Sequence, residues 1–147
     1  MPSALILGAS RGIGLGLSRE LIGRGWQVVA THRGPAPELA ATGARLAVVD
    51  VDDDASVAAL AAALAGERFD HVLINAGIMG NRADTAATIS REAMAQLFWT
   101  NAIAPIRAAR RLLSLVRDGG SIGFMTSVLG SVAGRTHGAV ELYSASK

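Results

Sequence analysis

Tyr143 and Lys147 are the only tyrosine and the only lysine in the 147-residue chain, and they stand four residues apart. On a helix that spacing puts both on one face, with an ammonium beside a phenol. A phenol with its ordinary pKa of about 10 shuttles protons poorly at neutral pH, and a neighbouring cation lowers that value. Such a pair suits a reaction that leaves negative charge on an oxygen, which needs a proton donor and a stabilising hydrogen bond. Ser127, just past the apolar run Ser121-Ile122-Gly123-Phe124-Met125-Thr126, is placed to donate to that oxygen. Ser131 is a rival for the same role, further from the end of the run.

A second constellation opens the chain. Gly8-Ala9-Ser10-Arg11-Gly12-Ile13-Gly14 follows the apolar run Ala4-Leu5-Ile6-Leu7 and precedes Leu15 to Ile22, where apolar residues recur at helical spacing. Glycines at a strand-to-helix turn make a phosphate cradle, with Gly8 for the turn and Gly12 for close approach of a pyrophosphate. Gly14 then allows tight helix–sheet packing, and the helix N-terminus offers free N–H groups to the phosphates.

These residues need a scaffold, and the chain supplies one. Ala4–Leu7, Gln27–Thr31, Leu46–Asp50, Phe69–Ile74 and Ser121–Thr126 read as five strands, with helices between them. A long helical stretch runs from Ser90 to Val116, and Pro105 predicts a kink or a break in it. Asp118-Gly119-Gly120 reads as a turn, and a last helix is expected to begin near Ala139 or Val140. Strand–helix alternation implies parallel strands with right-handed crossovers. The expected fold is therefore α/β, a Rossmann-type doubly wound sheet in three α/β/α layers, forming one domain over residues 1–147. Asp52-Asp53-Asp54 reads as a helix-start cap complementing the dipole rather than as a metal site.

Composition narrows the function classes. Half the residues are hydrophobic, yet no apolar run reaches the ~20 residues of a membrane span. Met1-Pro2-Ser3 runs directly into the first strand, so no signal peptide is expected and the cytoplasm is the default location. Cysteine is absent, which excludes disulfides and thiolate chemistry. The net charge is +2, and the arginines are scattered with no aromatic residues among them, which argues against a nucleic-acid surface.

Five patterns in order, together with Asn101, resemble the short-chain dehydrogenase/reductase family. They are the glycine run, Asp50-Val51, Asn75-Ala76-Gly77, Thr126-Ser127 and Tyr143-Ser144-Ala145-Ser146-Lys147. The resemblance implies hydride transfer between a nicotinamide cofactor and a carbonyl or secondary alcohol. It makes Tyr143 the acid/base, Lys147 the group that lowers its pKa and holds the ribose, Ser127 the substrate-orienting group and Asn101 part of a water-borne proton relay. By the same resemblance, Asp50 and Val51 meet the adenine, and Asn75, Ala76 and Gly77 line the adenosine side. Gly8, Ser10, Arg11, Gly12, Ile13 and Gly14 form the phosphate loop.

At the end of the second strand, His32 and Arg33 stand where an acidic residue would mark NAD(H). With Arg11 nearby they favour NADP(H), NAD(H) staying possible. The stretch from Ala93 to Leu115 resembles a segment through which family members associate, so a homo-oligomer is expected. Family members generally continue well past the position of Lys147, so the chain is expected to be a cofactor-binding N-terminal part, truncated after the fifth strand. The segment Gly134–Gly138 looks longer than usual for the family. A non-catalytic dinucleotide-binding module or redox sensor is the alternative reading, and a methyltransferase would leave the Tyr143/Lys147 pair without a purpose.

Overall fold

A computed structural model describes residues 1–134 and 140–147. Five parallel strands form one sheet in the order β3-β2-β1-β4-β5, with β1 Ser3–Leu7 at its centre. The others are β2 Gln27–His32, β3 Arg45–Val48, β4 Phe69–Ile74 and β5 Val116–Phe124. All four pairings are parallel. The doubly wound α/β expectation holds.

Every residue of β1 is buried, so its side chains serve both faces in alternation. Leu5 and Leu7 join Val72, Ile74, Val57, Leu60, Ala108 and Leu112 in one core. That core is covered by helices α3 (Asp54–Ala63) and α5 (Ala104–Leu112). Ile6 faces the other way, with Val28, Ala30, Leu15 and Leu39, under helices α1 (Gly12–Gly23) and α2 (Pro37–Ala40). The four-residue α2 is an element that the sequence reading passed over, and it contributes the fully buried Leu39. The chain leaves β1 toward β2 and β3 on one side and toward β4 and β5 on the other. A crevice therefore opens at the carboxyl ends of β1 and β4, where such folds bind ligands.

Three expected boundaries are corrected. The helical stretch does not break at Pro105: α4 (Arg91–Phe98) passes into α5 through a π-helical turn, Trp99–Ile103. Pro105 has no N–H to give to the carbonyl four residues back. The Ala104 N–H donates to the Trp99 carbonyl five residues back, which widens the turn. Val116 belongs to β5 rather than to the helix, a 3-10 turn at Leu113–Leu115 making the change. The Asp118–Gly120 turn lies inside β5 as a bulge, five steps of β5 opposing two of β4 between Phe69↔Val116 and His71↔Ser121. A Cβ on Gly120 would stand 2.8 Å from the Asp70 carbonyl oxygen, so glycine is what lets the bulge lie flat.

Among the described residues no helix is long and apolar enough to cross a membrane. The last helix, α6, runs Glu141–Ala145. The expected start at Ala139 and the Gly134–Gly138 segment lie, apart from Gly134, outside the described residues.

Candidate active site

The glycine loop is held from two sides. The Thr31 hydroxyl accepts a hydrogen bond from the Gly8 N–H at 3.0 Å, and the Thr31 carbonyl accepts one from Ala9 N–H at 2.8 Å. Across the crevice, the Asn75 amide donates to the Gly8 carbonyl at 2.7 Å. The N–H groups of Asn75 and Ala76 both donate to the Leu7 carbonyl at 3.0 Å. Gly8 has φ +82°, and a Cβ there would lie 2.7 Å from Ala76 Cα. A Cβ on Gly14 would run into the Gly8 carbonyl oxygen and the Asn75 amide. Gly12 differs: φ is +56°, and a Cβ would meet nothing within 4 Å. Two glycines of the run thus permit contact within the protein, and the third keeps the space above the loop clear.

From this loop a cleft of about 660 Å³ extends to Tyr143 and Lys147, within the range of small-molecule sites. Ser10, Arg11, Ile13, His32, Arg33, Asp50, Val51, Asn75, Ala76 and Gly77 all line it. At one end Asp50 accepts from the Asp52 N–H at 3.0 Å, and its carboxylate lies 3.8 Å from the Arg33 guanidinium.

At the other end two side chains converge on Gly77. A Cβ on Gly77 would lie 3.1 Å from both Asn101 Oδ1 and Lys147 Nζ. Asn101 is buried within the π turn, its Oδ1 accepting from Ile78 N–H at 2.8 Å. Its amide nitrogen donates to the Ile78 carbonyl at 2.8 Å and to the Ser146 hydroxyl at 2.9 Å. Lys147 Nζ donates to the Met125 carbonyl at 3.1 Å and lies 5.9 Å from the centre of the Tyr143 ring. Burial pushes the pKa of the Lys147 ammonium below its ordinary value.

Lys147 lies just past the end of the last helix. Helix α6 ends at Ala145, and the Lys147 N–H turns back to the Ser144 carbonyl at 3.3 Å. The main chain of Gly130 presses against this residue, a Cβ there lying 2.7 Å from the Lys147 carbonyl carbon. Beside Tyr143, a recess of about 30 Å³ is bounded by Met79, Ile89, Leu97 and Leu142 on one side and by Asn81, Arg82 and Asp84 on the other.

Of the expected catalytic residues, Asn101 is buried behind the cleft wall and Ser127 stands outside the lining. The Ser127 hydroxyl accepts from the Leu129 N–H at 3.2 Å, capping the 3-10 turn Val128–Gly130. Ser131 likewise caps locally, accepting from Gly134 N–H.

The acidic cluster divides its labour. Asp53 caps α3 by accepting from Ala55 N–H, and Asp54 pairs with Arg107 and Arg111. Asp52, which the sequence reading grouped with these caps, lines the cleft and holds the π turn instead. Its Oδ2 accepts from Thr100 at 2.8 Å and from Gln96 at 2.9 Å, and its carbonyl accepts from the Trp99 indole at 3.2 Å. Asp52 Oδ1 is buried without a partner among the described residues.

This layout has counterparts. The sequence profile of the enoyl-(acyl carrier protein) reductase family matches residues 8–147. The chain belongs to the short-chain dehydrogenase/reductase family. Proteins of this oxidoreductase family that it resembles include the 1-hydroxy-2-glutathionyl-2-methyl-3-butene dehydrogenase of Rhodococcus sp. (strain AD45), at 33% identity over 150 residues. The match takes in 100% of this chain and 66% of that relative. A carbonyl reductase from Pseudomonas aeruginosa PAO1, solved in complex with NADP, is 42% identical with a TM-score of 0.94. There the match covers 100% of this chain and 67% of that one. A short-chain dehydrogenase/reductase from Burkholderia multivorans with bound NADP is 37% identical, also with a TM-score of 0.94, over 99% of this chain and 67% of that one.

Space is open above Gly12, main-chain N–H groups start α1 beneath it, and among the described residues no acidic side chain lines the loop itself. Those features fit an anionic pyrophosphate.

Proposed function

We propose that the protein is an NADP(H)-dependent oxidoreductase that moves hydride between the nicotinamide and a carbonyl or secondary alcohol. The Tyr143/Lys147 pair at the end of the glycine-loop cleft, with Asn101 beside Gly77 behind it, carries this reading. The NADP carried by solved relatives supports the choice of cofactor.

Gly8, Gly12, Gly14 and the N-terminus of α1 would hold the pyrophosphate, and Arg11, His32 and Arg33 the 2′-phosphate. Asp50, Val51, Asn75 and Ala76 would line the adenosine. When bound, the cofactor supplies hydride. Tyr143 holds the proton that meets the developing alkoxide, or takes it from an alcohol in the opposite direction. Lys147 presents its positive charge to the phenol side and can reach a ribose, while Met125 fixes its position. Asn101 holds the Ile78 backbone on both sides, keeping the floor below the reacting groups in place.

The exposed apolar side chains Trp99, Ile103, Ile106 and Leu113 on the α4–α5 rod support association with further copies of the chain.

A cofactor-binding module without turnover is the second reading, favoured by the position of Ser127 outside the cleft lining. NADPH oxidation against a panel of ketones and aldehydes separates the two. Turnover that Tyr143→Phe lowers by at least about a hundredfold is expected, in line with the contribution of a general acid. Full activity in that variant would refute the mechanism. Saturable NADPH binding with no turnover on any carbonyl would favour the module.

A further inference from the structure

Between Tyr143 and Lys147 stand two buried serines, Ser144 and Ser146, whose hydroxyls do different things. Ser144 Oγ donates to the Val140 carbonyl at 3.0 Å, a local bond back along its own turn. Ser146 Oγ lies 2.7 Å from the Tyr143 carbonyl and 2.9 Å from the Asn101 amide nitrogen. A carbonyl only accepts and an amide nitrogen only donates, so both directions are fixed. Asn101 gives a hydrogen to Ser146, and Ser146 gives its own to Tyr143. The orientation of the Asn101 amide is settled in the same way, because Ile78 offers its Oδ1 an N–H and its nitrogen a carbonyl.

Helix α6 has five residues, far short of the ~12–15 at which a helix holds itself together in water. Its geometry must come from what it packs on. Among the described residues, side chains of this turn reach other elements by three hydrogen bonds. Glu141 accepts from the Ala86 N–H on an exposed loop, Lys147 donates to the Met125 carbonyl, and Ser146 accepts from Asn101. Of these the Ser146 bond is the buried one, and it leads to the π turn. Ser146 is absent from the cleft lining, so whatever it does for the reaction it does through its neighbours.

We propose that Ser146 is a positioning residue, locking the turn that carries Tyr143 and Lys147 to the π turn that carries Asn101. The inference rests on the oxidoreductase reading above and adds to it the group that keeps those three side chains in one arrangement.

Two alanine variants test this. Ser146→Ala leaves a buried Asn101 hydrogen without its acceptor, whereas Ser144→Ala removes a buried hydroxyl from the same helix without touching Asn101. In the chain without cofactor, hydrogen exchange at the Ile78 N–H should quicken about tenfold in Ser146→Ala, as Asn101 loses one of its holds. It should stay level in Ser144→Ala. In NADPH oxidation with a carbonyl substrate, kcat should fall at least about tenfold in Ser146→Ala, the effect of misplaced reacting groups. NADPH affinity should stay within about threefold, since the phosphate and adenosine contacts lie at the other end of the cleft. Ser146→Thr, which keeps the hydroxyl, should recover most of kcat. Unchanged exchange and kcat in Ser146→Ala, or equal changes in both alanine variants, overturn the proposal. So does a Ser146→Ala protein that no longer binds NADPH, or a Ser146→Thr protein as slow as Ser146→Ala. Quickened exchange at Ile78, in a protein whose wild type binds NADPH yet turns over no carbonyl, upholds the Ser146–Asn101 lock and overturns the oxidoreductase reading.

Discussion

Gly8 and Gly12 share a loop and a positive φ, but replacing each by alanine should damage different properties. At Gly8 the new Cβ would lie 2.7 Å from Ala76 Cα and 2.8 Å from Ala76 N. These are backbone atoms of a segment suspended from the Leu7 carbonyl, so they cannot rotate away. A left-handed backbone costs a non-glycine residue ~1–2 kcal/mol, and overpacking costs ~1–3 kcal/mol more. Gly8→Ala should therefore lose about 2–5 kcal/mol, which for a domain of this size lowers Tm by roughly 5–20 °C. At Gly12 only the backbone cost applies, since a Cβ would meet nothing within 4 Å. Tm should fall by only a few degrees, about 2–8 °C. The added methyl would nevertheless stand where phosphates approach the main chain, and NADPH affinity should drop at least about tenfold. Thermal melts and nicotinamide fluorescence on the two variants decide the matter. A Gly8→Ala protein melting within about 2 °C of the parent would refute the packing argument. A Gly12→Ala protein that binds NADPH normally would refute the placement of the phosphates.

Two further outcomes concern carboxylates. Asp52→Ala removes the acceptor for Thr100 and Gln96 beside the π turn and should cost ~1–3 kcal/mol, read as a shift in the urea midpoint. Asp52→Asn, which keeps one carbonyl oxygen for those donors, should recover part of the loss. Asp70 accepts from Ser3 N–H at 2.7 Å and pairs with Arg117 at 2.8 Å. Those contacts, the Ser3 hydrogen bond first, hold its carboxyl below the usual range. A depressed carboxylate pKa stabilises the fold above the unfolded value of about 3.9 and loses that contribution as pH falls through the folded pKa. Asp70→Asn should thus be less stable than the parent at pH 7, with the gap closing below about pH 4 in melts taken across pH. A gap that widens in acid would contradict the assignment.

Much of this layout is visible in the sequence because local signals agree with one another there. A buried strand, a glycine run and an amphipathic helix in series leave little choice at residues 3–23, and the structure places that turn at the centre of the sheet. Where the outcome depends on distant partners, the sequence falls short. Pro105 announces an irregularity, but a widened turn rather than a break depends on Asn101 finding Ile78 and Ser146. Asp52 looks like its two acidic neighbours until Thr100 and Gln96, more than forty residues away, claim it. Ser127 shows the opposite failure. Its position after a strand suggested the cleft, while its short side chain caps the backbone two residues on, a local contact that the spacing does not announce. The bulge in β5 read as a turn because its glycines look the same in either setting.

The widened turn between α4 and α5 also sets a boundary between two rotational frames. A π turn spends about one extra residue, which turns everything after it by roughly 100° relative to an unbroken α-helix. Upstream of it, Gln96 and Leu97 are aimed at Asp52 and at the recess beside Tyr143. Downstream, Ala108 and Leu112 are aimed at the core. Asn101 sits at the seam, indexed to neither half but to the Ile78 backbone that it grips from both sides. The rod can thus present one azimuth to ligand and another to the sheet, so that side chains can be exchanged on the ligand half without rephasing those that hold the sheet together.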